Sequence, residues 1–96
     1  MKKIFFFFFF FFEIRDTILK DIKKIAKKDK DKLQEIYNEF LKSDDINSIH
    51  GIKKLKGFEN FYRLRLGNYG LGFLFEDDKI VFLRFLHRKD IYKYFP

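Results

Sequence analysis

The sequence contains no cysteine and no tryptophan, and its 96 residues include one proline and two histidines. Without cysteine the chain cannot form a disulfide framework or a thiolate metal site, and this composition fits a reducing cytoplasm. The two histidines, His50 and His87, are too far apart in sequence to act as a ligand pair at helical spacing. We therefore expect a cytoplasmic protein with no metal and no cofactor.

The chain also lacks an apolar run long enough to cross a bilayer. Its longest run, from Ile4 to Phe12, has nine residues, whereas a membrane-spanning helix needs ~20. Lysines followed by an apolar run are also typical of the start of a signal peptide. However, Glu13 and Arg15 follow the run directly, and no small-residue cleavage site is present. We expect no membrane segment. Residues 1–12 are interpreted as a low-complexity poly-Phe start that partly forms the first strand.

Acidic residues are the minority among the charged groups, with 14 Asp and Glu against 21 Lys and Arg, for a net charge of +7. Such an excess favours nucleic acid, an anionic surface or an acidic protein as partner, and it does not specify a fold. The length is that of one domain, which we assign to residues 1–96.

Apolar residues at helical spacing predict two short helices, over about 16–26 and 33–41, joined by a polar link at 27–31. Residues 43–48 have the composition of a loop, and 49–57 is a basic segment that ends on a turn glycine. Three strands follow, listed with approximate bounds: 60–66, 69–75 and 80–86. The predicted fold is α+β: an N-terminal strand, a two-helix hairpin and a three-stranded antiparallel meander in one mostly antiparallel sheet.

The strand at 61–66 separates its side chains by alternation. Tyr62, Leu64 and Leu66 belong to one face, while Arg63 and Arg65 belong to the other, about 7 Å apart along the strand. Arginine keeps its proton near neutral pH, and its planar guanidinium group suits phosphate, so the pair predicts an anion-binding site. The alternative interpretation is an ordinary solvent-exposed face of the strand.

The meander brings these arginines towards the end of the last strand, where His87 and Arg88 follow, with Tyr92 a few residues on. Cations beside an aromatic ring are typical of single-stranded RNA recognition. RNA cleavage through the 2′-hydroxyl needs an acid, a base and stabilisation of phosphate charge. His87 is a candidate acid or base, although a lone histidine at a strand end is also often structural. Further candidate RNA contacts are Lys53, Lys54, Lys56 and Lys89.

The segment Leu55-Lys-Gly-x-x-x-x-Tyr-Arg-x-Arg-x-Gly-Asn-Tyr69, together with His87-Arg-Lys-Asp-Ile-Tyr92, resembles the RelE/ParE superfamily of type II toxin–antitoxin toxins. The likeness is closest to RelE-like mRNA interferases and extends over residues 18–96. It implies a strand, a helical hairpin and an antiparallel meander, in agreement with the fold predicted above.

The resemblance implies an endoribonuclease that cleaves mRNA in the ribosomal A site by 2′-hydroxyl attack without metal, and that a cognate antitoxin neutralises. It places Arg63 and Arg65 where the family orients and activates the 2′-hydroxyl. Arg88 matches the basic residue near the leaving group, Tyr92 the aromatic that stacks on a base, and His87 a position that is basic in some relatives. The expected partners are the antitoxin, the ribosome and mRNA.

One departure concerns Gly70, since the family usually has an arginine at this position. Losing such a contact costs on the order of 100- to 1,000-fold in rate, so a weakened homologue that only binds its antitoxin is one alternative. Cleavage by a Gly70→Arg variant but not by wild type would identify a toxin disabled at this one position. A ParE-like toxin that inhibits DNA gyrase is the other alternative. Convergence of Arg63, Arg65, Arg88 and Tyr92 would favour the nuclease.

Overall fold

A computed structural model describes the backbone of residues 3–7 and 10–96 and the side chains of residues 10–96. The elements, in chain order, are β1 (Lys3–Phe7), β2 (Phe10–Ile14), α1 (Asp16–Ile22), α2 (Lys27–Lys42), a short 3-10 helix (Ile46–Ser48), β3 (Ile52–Lys54), β4 (Phe61–Leu66), β5 (Tyr69–Glu76), β6 (Lys79–His87) and α3 (Arg88–Tyr94).

The described strands form one mixed sheet in the order β1-β2-β6-β5-β4-β3. Strands β4, β5 and β6 are the predicted antiparallel meander, and β2 joins it by pairing in parallel with β6. The α+β class is confirmed, whereas the order of elements differs in detail from the prediction, because the chain also contains β1, β3 and α3. No helix in the described part of the chain is long and apolar enough to cross a membrane.

The poly-Phe start differs from the prediction of a single strand with an overhang. It contributes two antiparallel strands, because β1 pairs with β2 in a register that places Phe7 opposite Phe10. Within β2 the side chains alternate: Phe10 and Phe12 are buried, whereas Phe11 is 48% exposed. Residues 1, 2, 8 and 9 of the predicted low-complexity start lie outside the described residues.

Identical phenylalanines cannot specify their own register, and the charged residue that ends the run provides a specific contact. Glu13 is fully buried and lies opposite Val81 of β6. Its carboxylate forms ion pairs with Arg15 and with Lys79, whose Nζ is 2.8 Å from Oε1. Burial alone would raise the pKa of the Glu13 carboxyl, but hydrogen bonds and charge from Lys79 and Arg15 lower that pKa below its ordinary value.

Glu13→Gln is therefore expected to destabilise the fold at neutral pH by about 1–3 kcal/mol, the usual contribution of hydrogen bonds to a charged group. Because the folded-state pKa is depressed, this stabilisation is present above the unfolded-state pKa and is lost as pH falls through the folded-state pKa. The free energies of unfolding of wild type and variant, measured with urea at pH 7 and at a series of lower pH values, should converge as the pH falls. A difference that stays constant down to pH 3 would contradict the ionic role of Glu13.

Helices α1 and α2 cover one face of the sheet. The core on this face includes Ile18 of α1 and Phe40 of α2, which pack with Leu64, Leu71 and Phe73 of β4 and β5. The ring of Phe40 meets that of Phe73 edge to face, with centroids 5.3 Å apart. Since Leu71 and Phe73 point into this core, alternation places Gly70 and Gly72 on the opposite face.

Arg84 lies in the middle of the last strand, β6, and connects that strand to α1. Its Nε and Nη2 donate to the buried carboxylate of Asp21 at 2.8 and 3.1 Å, and the backbone N–H of Phe85 donates to the same group at 3.0 Å. The hydrogen bond to Asp21 raises the pKa of Arg84 above its ordinary value. Arg84 is thus a structural residue that fixes the position of α1 on β6.

Three boundaries differ from the predictions. The stretch predicted as a polar link, residues 27–31, is the first turn of α2, where Lys27 and Asp31 pair at 3.1 Å with the i, i+4 spacing that suits a helix. The basic segment predicted as a loop contains the edge strand β3. The tail after the last strand forms α3, because Ile91 and Phe95 are apolar at i, i+4 and both are buried.

Candidate functional site

The candidate site lies on the face of the sheet opposite α1 and α2. Strand β4 buries Leu64 completely in the core and thereby directs Arg63 and Arg65 to this face. On β5 the residues opposite them are Gly72 and Gly70, respectively. The neighbouring strand therefore carries no side chain beside either arginine.

The two glycines also allow α3 to lie directly on β5. A Cβ atom placed on Gly70 would be 2.7 Å from Cγ2 of Ile91, and one placed on Gly72 would be 2.7 Å from the ring of Phe95. These distances are shorter than van der Waals contact allows, so the space of the missing side chains is filled by α3. The start of α3 is attached to the β4–β5 turn, where the N–H of Arg88 donates to the Asn68 carbonyl at 2.7 Å.

This packing brings four predicted residues together. Arg63, Arg65, Arg88 and Tyr92 line one small depression, together with Tyr69, Gly70 and Ile91. We call Arg63, Arg65 and Arg88 the arginine cluster. Within residues 10–96 no carboxylate forms an ion pair with any of the three, so their charges face solvent without a protein counter-ion.

Tyr92 has a double role in this geometry. The guanidinium carbon of Arg63 lies 4.4 Å from the centroid of the Tyr92 ring, which is within the range of a cation–π contact. Nevertheless, 51% of Tyr92 is exposed. The ring thus orients Arg63 and still offers surface for another planar group.

The chemistry available here is the binding of anions and the stabilisation of developing negative charge. Guanidinium groups stay protonated and bind phosphate oxygens through two parallel N–H donors. They are poor general bases for the same reason. Among the described residues no group of three or more potential ligands is placed to hold a metal ion.

His87 is not one of the residues that line the depression. It is the N-cap of α3, where its Nδ1 accepts a hydrogen bond from the backbone N–H of Lys89 at 3.3 Å. Its ring also meets the ring of Tyr69 at 5.8 Å. The contacts of His87 are those of a residue that holds the start of α3.

The candidate lysines are all exposed. Lys53 and Lys54 are on β3, where Lys53 is opposite Arg63; Lys56 follows in the β3–β4 loop and Lys89 is in the first turn of α3. The sequence analysis did not identify Tyr69 or Lys32. The Nζ of Lys32 in α2 is 2.8 Å from the position of a Cβ on Gly67, so this lysine reaches the turn beside Arg65. Helical periodicity alone gives no sign of that approach.

A second depression, of about 300 Å³, lies between α1 and α2 and is lined mainly by apolar side chains such as Leu19 and Leu33. It is larger than the depression at the arginine cluster. However, it contains none of the candidate residues, and a lysine, Lys30, is the one charged group in its lining. The arginine cluster is therefore the stronger candidate for binding an anion.

Comparison with known proteins gives a consistent result. Residues 12–92 match the family described as ParE toxin of type II toxin–antitoxin system, parDE. The chain is 42% identical over 81 residues to Toxin RelE3 of Methanocaldococcus jannaschii, covering 83% of this chain and 92% of the relative. It is 32% identical over 80 residues to Putative toxin RelE1 of the same organism, covering 81% and 88% of the two chains.

The fold has a solved counterpart. The crystal structure of a RelB–RelE antitoxin–toxin complex from Methanococcus jannaschii contains a chain that matches this one with a TM-score of 0.75 and 41% identity. The match covers 86% of this chain and 98% of the other.

Proposed function

This chain belongs to the RelE/ParE superfamily of toxins of type II toxin–antitoxin systems, and from that premise we propose that it is a RelE-like endoribonuclease that cleaves mRNA in the ribosomal A site. The reaction is metal-free attack of a 2′-hydroxyl on the adjacent phosphodiester. The observation that supports this proposal is the convergence of Arg63, Arg65, Arg88 and Tyr92 on one depression.

The arginine cluster suits the charge changes of this reaction. When the 2′-oxygen bonds to phosphorus, the phosphate gains negative charge before the bond to the 5′-oxygen breaks. A 2′,3′-cyclic phosphate and a 5′-hydroxyl result, with the 2′-proton passing to solvent water and the 5′-oxygen receiving one from it. Guanidinium groups that have no carboxylate partner among residues 10–96 stabilise this charge without reorganisation.

We assign the residues as follows. Arg63 and Arg65 bind the scissile phosphate and orient the 2′-hydroxyl. Arg88 donates a hydrogen bond to the leaving 5′-oxygen. Tyr92 stacks on a base with its exposed surface, and its contact with Arg63 fixes the position of that guanidinium. The exposed lysines Lys53, Lys54, Lys56 and Lys89 attract RNA, and His87 supports α3.

The openness of the site supports the proposed dependence on the ribosome. The depression is too small to enclose a nucleotide, and it offers charge stabilisation without a group that accepts a proton readily at neutral pH. Binding in the A site would supply the alignment that the toxin lacks, and alignment alone contributes several orders of magnitude to such reactions. The related RelE was crystallised with RelB, and we propose that a cognate antitoxin likewise binds this chain.

The test is primer extension on an mRNA in a defined translation reaction, with wild type and with Lys42→Ala as a control for loss of a remote surface charge. We expect cuts within A-site codons from both proteins. A gyrase supercoiling assay run in parallel addresses the alternative, which the description of the matched family favours. Inhibition of supercoiling without mRNA cuts would replace the nuclease by a gyrase inhibitor. Inactivity in both assays with retained antitoxin binding would identify a weakened homologue.

A further inference from the structure

Phe58 carries an exposed aromatic ring outside the arginine cluster. Half of its surface, 50%, is accessible, and it lies in the loop between β3 and β4. Its one described ring contact is with Phe61, edge to face, with centroids 6.5 Å apart. A single exposed apolar residue is ordinary on a protein surface, so what indicates a function for Phe58 is the loop that carries it together with the charges around it.

The loop that carries this ring has a defined conformation. Gly57 and Asn60 have positive φ values of 78° and 66°, which turn the chain on either side of Phe58. At its base the N–H of Leu55 donates to the Phe61 carbonyl at 2.9 Å, and the N–H of Phe75 donates to the Asn60 carbonyl at 2.9 Å. Phe58 is therefore presented from a fixed loop, and little entropy is lost when a ligand covers it.

The ring is also continuous with the candidate site. Phe61 shares the face of β4 that carries Arg63, and its ring contacts that of Phe95 at 5.8 Å. Phe95 lies over Gly72, one turn of chain after Tyr92. The rings of Phe58, Phe61 and Phe95 thus form a row with Phe58 at its exposed end, and Tyr92, whose ring contacts Arg63, lies one helical turn before Phe95.

Charge around Phe58 indicates what covers it. The loop forms a shallow depression lined by Lys54, Lys56 and Phe58 with Glu59 as the one acidic member. Both lysines are exposed, and within residues 10–96 neither forms an ion pair. Aromatic rings next to cations that follow a backbone are the pattern of single-stranded nucleic acid binding.

We propose that Phe58 is a second base-stacking platform, which binds a nucleotide of the single-stranded RNA outside the cleavage site while Lys54 and Lys56 bind its phosphates. The proposal rests on the RNA-directed function proposed above and extends the contact from the arginine cluster along the aromatic row to the β3–β4 loop.

The experiment measures the affinity of the full chain for a fluorescent single-stranded RNA whose 2′-oxygens are methylated, so that it cannot be cut. Phe58→Ala is expected to raise Kd by about 5- to 100-fold, the usual effect of removing one stacked ring. Phe58→Trp should restore binding. Leu19→Ala, which removes a 39% exposed apolar side chain from α1, is the matched control and should leave Kd unchanged.

Equal Kd values for wild type and Phe58→Ala, or no measurable RNA binding by wild type, would overturn the proposal. So would a Phe58→Ala variant that loses affinity for the antitoxin alone. If mRNA is cleaved in the translation assay but RNA binding does not depend on Phe58, the stacking role is wrong and the nuclease function stands. If RNA binding depends on Phe58 but no mRNA is cleaved, the stacking role stands and the nuclease function is wrong.

Discussion

Arg65→Ala is expected to lower the rate of mRNA cleavage by about 100- to 1,000-fold, which is the usual effect of removing one preorganised donor from a developing oxyanion. Arg65 is exposed and belongs to the arginine cluster, and the described part of the chain provides it with no carboxylate partner. Its removal should therefore leave the free energy of unfolding within about 0.5 kcal/mol of wild type.

The measurement is the single-turnover cleavage rate on programmed ribosomes, with urea unfolding to establish that the fold is retained. Arg65→Lys tests the planar fork separately, because it keeps the charge and loses bidentate phosphate binding. We expect the lysine variant to recover only part of the rate. An Arg65→Ala variant that cleaves as fast as wild type would show that the scissile phosphate is not bound at this position.

Gly70→Arg is expected to destabilise the fold and to lower activity rather than restore it. The resemblance alone suggests the opposite, because it implies an arginine at this position. In this structure the first carbon of any side chain at Gly70 would lie 2.7 Å from the buried Ile91. Overpacking of this kind costs about 1–3 kcal/mol even for alanine, and displacement of α3 would move Arg88 and Tyr92 away from the cluster.

A double-mutant cycle with Gly70→Ala and Ile91→Ala tests this packing. Each single change should destabilise the fold, the first by overpacking and the second by leaving a cavity. The double variant should be more stable than the sum predicts by about 0.5–3 kcal/mol, because the new methyl group occupies the cavity. Additive effects, or a Gly70→Arg variant with raised cleavage activity, would mean that α3 does not depend on a bare Gly70.

The sequence was sufficient for the parts of the fold that depend on local pattern. Alternation in Phe61–Leu66 assigned Arg63 and Arg65 to the face opposite Leu64, and the structure shows this arrangement. The apolar stripes of the two helices and the turn at Gly67 were equally readable. These features require only the periods of helix and strand.

Other features depend on contacts between distant segments and left no local signal. The sequence of α3 shows no clear helical pattern, because just two apolar residues, Ile91 in the helix and Phe95 at its end, pack against the sheet. That surface consists of glycines on β5, which have no apolar side chain to reveal it. The split of the poly-Phe run into two strands was missed for a related reason, since identical residues do not mark a turn or a register.

The sequence predicted four residues of the candidate site and missed others. Arg88 and Tyr92 were expected near the two strand arginines, and the structure brings all four to one depression. Tyr69 and Lys32 were missed because their proximity depends on how α2 and β5 pack.

The most direct test of the central claim replaces one atom of the substrate. Ribosomes programmed with an mRNA that carries a single 2′-deoxyribose at the mapped cleavage position are mixed with wild-type toxin and compared with the all-ribose message. Since the 2′-oxygen is the proposed nucleophile, the all-ribose mRNA should be cut to a 2′,3′-cyclic phosphate, whereas the 2′-deoxy mRNA should remain intact at that position. Equal cleavage of the two messages would contradict attack by the 2′-hydroxyl and with it the proposed function of the arginine cluster.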